Sequence, residues 1–181
     1  LYTDAQEEAL SRLGAEARKL SSAKLGIQLT HTGRKAATRT IPERWRGEPL
    51  PPEEGAWKPV APSPIAYDAG WQEPEELTED GIWRIIRAFA DSAVRADRAG
   101  FDLIEIHGAH GYLIHSFLSP ITNLRTDGWG GSADRRNRFA IEIVRAVRAV
   151  WPREKALGFR MNSTDWTPEG STLEDAVELA K

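Results

Sequence analysis

Residues 79–107, EDGIWRIIRAFADSAVRADRAGFDLIEIH, decide the fold because they join a helix pattern to a strand pattern through one glycine. Thr78 precedes them as a helix cap, and Glu79 and Asp80 favour the positive end of a helix. Apolar residues then recur at the spacing of one buried helix face, namely Ile82, Ile85, Ile86, Phe89, Ala93 and Ala96. Gly100 ends the predicted helix over 79–99, and the alternation in 102–107 predicts a strand.

Further segments continue this alternation of helices and strands. We predict helices over 4–20, from Ser132 to a stop at Trp151 and Pro152, and after a capping box of Ser171 and Glu174, with strands over 24–30 and 156–162. Alternating helices and strands imply parallel strands joined by right-handed crossovers, which is an α/β fold. A doubly wound sheet and a barrel both satisfy this order, but no glycine-rich turn directly follows a strand to support dinucleotide binding of the doubly wound kind.

Length and composition exclude several classes of protein. The chain has 181 residues, enough for one ordinary domain but fewer than most complete α/β barrels. A net charge of −3 argues against nucleic-acid or membrane-surface partners, and no apolar run approaches the roughly 20 residues of a membrane span. The lack of cysteine excludes disulfides and suits a cytoplasmic protein. Because the chain begins without methionine and stops inside a predicted helix, we expect truncation at both ends.

A long connection, residues 31–77, separates the first strand from the clearest helix. It holds eight of the 11 prolines and three of the seven tryptophans, Trp45, Trp57 and Trp71. Connections of this length are usually lids, binding loops or disordered linkers. Because tryptophans favour docking onto other residues, we predict an ordered excursion over one mouth of the fold, with a flexible linker as the alternative.

Polar residues occupy one face of each predicted strand. Side chains alternate along a strand, so Gln28 points to the other face of its strand from Ile27 and Leu29. Arg160 likewise points to the other face from Phe159 and Met161. In the same way, Glu105 and His107 share the polar face of the middle strand. Polar groups that converge at the carboxyl ends of parallel strands mark the usual position of an α/β barrel active site. An ion pair of Arg160 with Glu105 is the structural alternative.

The densest group of reactive side chains is HGAHGY, residues 107–112. Two histidines three residues apart are compatible with a metal site, with His115 as a third ligand, although only Glu105 offers a nearby carboxylate. Alternatively, His107 and His110 both donate hydrogen bonds to one substrate oxygen, and Tyr112 donates a proton. An ordinary tyrosine, with a pKa of about 10, is an acid weak enough to protonate a strongly basic carbanion or enolate. A purely structural role, with one core histidine and a packed tyrosine, is the third interpretation.

Three motifs resemble one enzyme family. HGAHGYLIHSFLSP at 107–120 followed by NLRTDGWGGS at 123–132, GIQLTHTGRKA at 26–36 and GFRMN at 158–162 are similar to the Old Yellow Enzyme family, closest to its thermophilic-like, xenobiotic-reductase branch. The resemblance runs over nearly the whole chain with consistent spacing. It implies a partial (β/α)₈ TIM barrel, of which this chain, 1–181, holds about strands three to five with their helices.

The resemblance also implies a reaction and the residues that carry it. The family's enzymes are FMN-dependent ene-reductases, in which NADPH or NADH reduces FMN and the flavin passes hydride to an activated alkene such as an enone, enal or nitroalkene. By similarity, His107 and His110 bind the substrate oxygen, Tyr112 is the proton donor, and Gln28 and Arg160 bind the flavin. The resemblance also implies a homo-oligomeric parent protein. Because the strands that hold the FMN phosphate lie outside this chain, we expect the isolated chain to bind FMN poorly or not at all.

Three other functions stay open on the sequence alone. A related barrel flavoenzyme, such as a dienoyl-CoA reductase or an amine dehydrogenase-like oxidase, is the nearest. A zinc hydrolase that uses His107, His110 and His115 is a second. A non-catalytic scaffold is the third, and flavin absorbance and metal analysis of the parent protein separate these hypotheses.

Overall fold

The computed structural model describes residues 1–39 and 47–181, and Trp45 lies outside this range. Its helices are α1 (Asp4–Leu20), α2 (Glu79–Arg98), α3 (Leu113–Leu118), α4 (Ala133–Val150) and α5 (Leu173–Leu179), with 3₁₀ turns at Gly33–Lys35 and Pro52–Glu54. Its strands are β1 (Gly26–Leu29), β2 (Val60–Ala61), β3 (Glu75–Glu76), β4 (Leu103–Gly108) and β5 (Ala156–Met161). Within the described ranges, no helix has the length and apolar character needed to cross a bilayer.

The main sheet has the parallel α/β order predicted from the sequence. Three parallel strands lie in the order β1–β4–β5, and each crossover contains a helix, α2 or α4. Ile104 and Ile106 on the central strand are fully buried against the stripe of α2 and against Ile143 and Val147 of α4. All six residues of the predicted stripe on α2 are buried, which confirms that interpretation. This core fixes one face of the sheet and leaves the polar face for the site.

Helix α1 forms where the sequence predicts it but does not bury an apolar face. Leu13 is 65% exposed and Leu20 is 89% exposed, and Gly14 is the one fully buried residue of the helix. Polar contacts attach α1 to α2 instead, through ion pairs of Glu7 with Arg98 at 2.7 Å and of Asp4 with Arg95 at 2.9 Å. Ion pairs near the surface contribute little to stability, so α1 is held less firmly than a helix that buries an apolar face.

The predicted capping box of the last helix is displaced by one residue. Thr172 caps α5 and pairs with Asp175, whereas the sequence analysis assigned Ser171 and Glu174. Ser171 has another role, because its N–H donates to the Asp165 carboxylate at 2.8 Å.

Two points of the long connection are fixed to the core by hydrogen bonds. Arg125, which is buried, donates to the carbonyl oxygens of Pro62 at 3.2 Å and Leu77 at 2.7 Å. The buried hydroxyl of Ser63 accepts the N–H of Leu124 at 2.9 Å. The short strands β2 and β3 pair in parallel within the same connection. The position of the connection over a barrel mouth stays a prediction.

Candidate active site

The strand register places the predicted polar residues on one face. Gln28 of β1 is the register partner of Glu105 on β4, and His107 of β4 is the register partner of Arg160 on β5. Because Glu105 and His107 are two residues apart on β4, all four side chains point to the same side of the sheet. The structure thus brings Gln28, His107 and Arg160 together at the carboxyl ends of adjacent parallel strands, where α/β enzymes carry out their chemistry.

His107 is the buried residue of this polar face. It is 3% exposed, and its Nδ1 atom has no hydrogen-bond partner among the described residues. A buried polar atom without a partner is costly, which indicates that a ligand satisfies it. Burial lowers the pKa of His107, the positive charges of His110 and Arg160 lower it further, and Glu105 opposes them. The ring is therefore neutral at pH 7, with one N–H available for donation.

His110 and Tyr112 surround the same point. The His110 ring centroid lies 5.0 Å from that of His107, and the Tyr112 ring centroid lies 5.2 Å from it. The Lys35 ammonium lies 5.7 Å from the centre of the Tyr112 ring. Two imidazoles and a phenol therefore lie within reach of one small ligand group.

The loop that carries these groups has an uncommon backbone conformation. His110 has φ 59° and Gly111 has φ 72°, both in the left-handed region. Side chains from three other segments hold this loop. Asn162 Oδ1 accepts the His110 N–H at 3.1 Å, Lys35 Nζ donates to the His110 carbonyl at 2.7 Å, and His115 Nδ1 accepts the Gly111 N–H at 2.9 Å. Non-glycine residues stay in this conformation only when their surroundings fix them, and such positions cluster at functional sites.

Gln28 and Arg160 are more exposed than His107. Both residues are exposed on the polar face. The Gln28 amide donates to the Glu105 carboxylate. The Arg160 guanidinium has no carboxylate within 4.0 Å among the described residues, so the Glu105–Arg160 ion pair offered as the structural alternative is wrong for the described part of the chain.

His115 does not point to a metal site. Its Nδ1 accepts the Gly111 N–H, and its Nε2 lies 2.7 Å from Asp165 Oδ1, so both ring nitrogens have partners. In residues 1–39 and 47–181 there is no group of three histidine, cysteine, aspartate or glutamate side chains arranged to hold a metal ion. Burial raises the pKa of Asp165, but hydrogen bonds from His115, Ser119 and Ser171 outweigh it and set the pKa well below its usual range.

The sequence analysis missed Lys35 and Asn162 as residues of this site. Each lies close after a strand of the main sheet, Lys35 beyond β1 and Asn162 directly after β5. That position was the available signal. Their specific partners, however, are backbone groups of a loop 75 and 52 residues away in sequence, which no local pattern reveals.

Fold and site together define an α/β enzyme whose reactive groups lie at the carboxyl ends of parallel strands. The chain belongs to the NADH:flavin oxidoreductase / NADH oxidase family, whose profile matches residues 1–181. The resemblance to the Old Yellow Enzyme family is thereby confirmed. This is a family of oxidoreductase flavoenzymes, with FMN and a nicotinamide as cofactors.

Individual proteins agree with this membership. The chain is 45% identical over 166 residues, 92% of its length, to an NADPH dehydrogenase from Clostridium acetobutylicum, and it covers 44% of that protein. It is similar to a 2-naphthoyl-CoA reductase solved with 2-naphthoyl-CoA, with TM-score 0.81 and 29% identity over 98% of this chain and 27% of the other. A morphinone reductase solved with tetrahydroNAD gives TM-score 0.78 and 30% identity, over 97% and 49% of the two chains. The chain spans about half the length of the curated relatives it matches.

Proposed function

We propose that this chain is the catalytic middle of an FMN-dependent ene-reductase, an NADPH dehydrogenase in broader terms. It supplies about strands three to five of a (β/α)₈ barrel, and 31–77 forms an excursion over the barrel mouth. The observation that carries this proposal is the buried Nδ1 of His107, which no described residue pairs with, beside His110 and Tyr112 and on the same face as Gln28 and Arg160. We expect a cytoplasmic, homo-oligomeric protein with a small activated alkene as substrate.

The exposed part of the polar face fits the flavin. The Gln28 amide, free to exchange its bond with Glu105, offers a donor and an acceptor to the polar edge of an isoalloxazine ring. Arg160 has no carboxylate partner in the described chain and offers a positive charge to an electron-rich ring. The chemistry that bound FMN supplies is hydride transfer, from NAD(P)H to the flavin and from the flavin to the β-carbon of the alkene.

The buried part of the face fits the substrate oxygen. As the alkene accepts hydride at its β-carbon, negative charge develops on the conjugated carbonyl or nitro oxygen. N–H donors from His107 and His110, 5.0 Å apart between ring centroids, stabilise that charge if the oxygen lies between them. Because His107 is buried, little water competes for its N–H, and its hydrogen bond to the substrate oxygen is stronger.

Tyr112 completes the reaction by protonating the α-carbon. Its ring lies 5.2 Å from that of His107, so an alkene whose oxygen is bound by the histidines places its α-carbon near the phenol. The Lys35 ammonium lies 5.7 Å from the centre of the Tyr112 ring, on the side of the loop that carries the phenol. This arrangement separates the two roles, oxygen binding by imidazoles and proton donation by a phenol.

A second candidate is reduction of an unsaturated acyl-CoA thioester. The likeness to 2-naphthoyl-CoA reductase, at TM-score 0.81, favours it. A thioester carbonyl is also an oxygen that two histidine N–H groups can bind, so the same residues serve both candidates. They differ in the size of the substrate.

The test uses the full-length protein that contains this chain. Anaerobic reduction by NADPH should bleach the bound flavin, and 2-cyclohexenone should restore its absorbance with release of cyclohexanone. A parallel sample treated with an enoyl-CoA distinguishes the second candidate. A purified protein without flavin, or a reduced flavin that neither oxidant reoxidises, would contradict both proposals.

A further inference from the structure

His115 connects the loop of the active site to the segment after β5. Its side chain is 12% exposed, and that of Asp165 is 4% exposed. Because Gly111 donates its N–H to Nδ1, this nitrogen must carry the lone pair, and the ring proton lies on Nε2. Nε2 then donates to Asp165 Oδ1 at 2.7 Å. These two bonds require the tautomer with the proton on Nε2, so the Asn162 amide nitrogen, 3.3 Å from Nε2, does not donate to the ring.

Asp165 is itself fixed in place. Its second oxygen, Oδ2, accepts the Ser119 hydroxyl at 2.7 Å and the Ser171 N–H at 2.8 Å. These bonds leave Oδ1 facing His115, so the carboxylate acts as a rigid acceptor. A neutral imidazole that donates to a buried carboxylate is a more basic acceptor at its other nitrogen, which strengthens the bond to Gly111.

Gly111 is the residue between the two proposed catalytic groups. Its left-handed conformation, with that of His110, turns the chain so that His110 and Tyr112 both lie near His107. A side chain at position 111 would be strained by this left-handed conformation and would also meet the end of the Lys35 side chain at 3.0 Å. His115 holds the one N–H donor of this residue.

We propose that His115 is a positioning residue, which holds His110 and Tyr112 in their reactive arrangement through its acceptor bond to the Gly111 N–H. The inference rests on the proposed function, because its effect on rate is exerted through those two residues. It assigns to the His115–Asp165 pair a role in the reaction beyond joining α3 to the loop after β5.

A matched pair of variants tests the two bonds of His115 separately. In His115→Asn the amide oxygen can replace Nδ1 as acceptor for Gly111, but the donor to Asp165 is lost. In His115→Gln the amide nitrogen can replace Nε2 as donor to Asp165, but the acceptor for Gly111 is lost. Each variant loses one buried hydrogen bond, so their thermal stabilities should be similar. Ser119→Ala, which removes one partner of Asp165 and leaves both bonds of His115, is the control.

The measurements use the full-length holoenzyme. For His115→Gln we expect reoxidation of the reduced flavin by 2-cyclohexenone to slow by about 10- to 100-fold, since small misplacements of reacting groups have effects of this order. Reduction by NADPH should change by less than about threefold, and His115→Asn and Ser119→Ala should stay within about threefold in both half-reactions. Amide hydrogen exchange of residues 108–112 should be faster in His115→Gln than in the other three proteins.

Equal losses in His115→Asn and His115→Gln would overturn the inference, because the acceptor bond to Gly111 would then not be the bond that matters. Wild-type rates in His115→Gln would also overturn it. The exchange measurement needs no substrate. If the wild-type flavin is not reoxidised by an alkene, the proposed function fails, while unchanged exchange in His115→Gln would separately reject the positioning role.

Discussion

The two halves of the candidate site differ in how the chain holds them. In the proposed oxygen-binding half, burial fixes His107, and bonds from Asn162 and other segments hold the loop that carries His110 and Tyr112. The proposed flavin-binding half, Gln28 and Arg160, lies exposed on the two strands that flank β4.

This difference indicates a division of function. Donors that are already fixed stabilise developing charge without reorganising, so the oxygen-binding half is suited to lowering an activation barrier. The flavin-binding half is suited to gaining its order from the cofactor itself. Substitutions in the first half should therefore change the rate of alkene reduction, and substitutions in the second half should change flavin affinity.

The largest expected effect is that of Tyr112→Phe. Removal of a general acid typically costs about 10²- to 10⁴-fold, so reoxidation of the reduced flavin by 2-cyclohexenone should slow by that factor. Reduction of the flavin by NADPH should be unchanged, because that step needs no proton from the phenol. Stopped-flow absorbance of the full-length enzyme measures the two half-reactions separately.

The phenylalanine variant keeps the aromatic ring beside His107, so it is its own control for packing. An equal loss in both half-reactions would reject Tyr112 as the proton donor and would remove the distinction between the two halves.

The next effect distinguishes the two histidines. His107→Ala removes a donor from a buried position, and we expect a loss of about 10²- to 10³-fold in kcat/KM for the enone. His110→Ala removes a donor from an exposed residue, where water competes, and we expect about a tenfold loss. A larger loss for His110 than for His107 would show that burial does not decide the strength of oxygen binding.

How much of this architecture the sequence predicts depends on whether the contacts that fix each feature are local or distant in the sequence. The stripe of α2 and the alternation in β4 are local periodicities, so both elements and the shared face of Gln28, His107 and Arg160 could be predicted. Helix α3 could not, because five of its six residues are buried and it has no amphipathic period. Residues buried on every side do not produce the pattern by which a surface helix is detected.

Two further errors have specific causes. Ser171 and Thr172 both precede an acidic residue at capping-box spacing, and the choice depends on Asp165, which uses the Ser171 N–H. The contact of Asp165 with His115 spans 50 residues, so the sequence alone left His115 as a candidate metal ligand. Only the folded arrangement of β4 and β5 brings these side chains together.

A smaller effect is expected from the flavin-binding half. Gln28→Ala should weaken FMN binding by about tenfold, the worth of roughly one hydrogen bond, as measured by fluorescence titration of the apoenzyme. The rate of alkene reduction by the fully loaded variant should stay within about threefold of wild type. Lys24→Ala, near the opposite end of the same strand, is the matched control and should bind FMN normally. A large fall in rate with unchanged affinity would contradict the division of function.

The smallest effect concerns pH and tests the burial of His107 directly. Its folded pKa is lowered, mainly by burial, whereas an unfolded histidine titrates near pH 6.5. As pH falls below about 6.5, His107 therefore binds a proton in the unfolded chain but stays neutral in the folded chain. The free energy of unfolding then falls until the pH reaches the folded pKa. Between pH 7.5 and 5.5 this linkage amounts to at most about 1.4 kcal/mol of unfolding free energy, the limit for a histidine that stays neutral in the folded chain. Urea unfolding of the full-length apoprotein at both pH values should show that extra loss in wild type and not in His107→Ala, because every other titrating group is common to the two proteins.

Parallel pH dependences would mean that His107 is as well solvated in the folded protein as in the unfolded chain. The oxygen-binding half would then lose the desolvation from which its strength is expected.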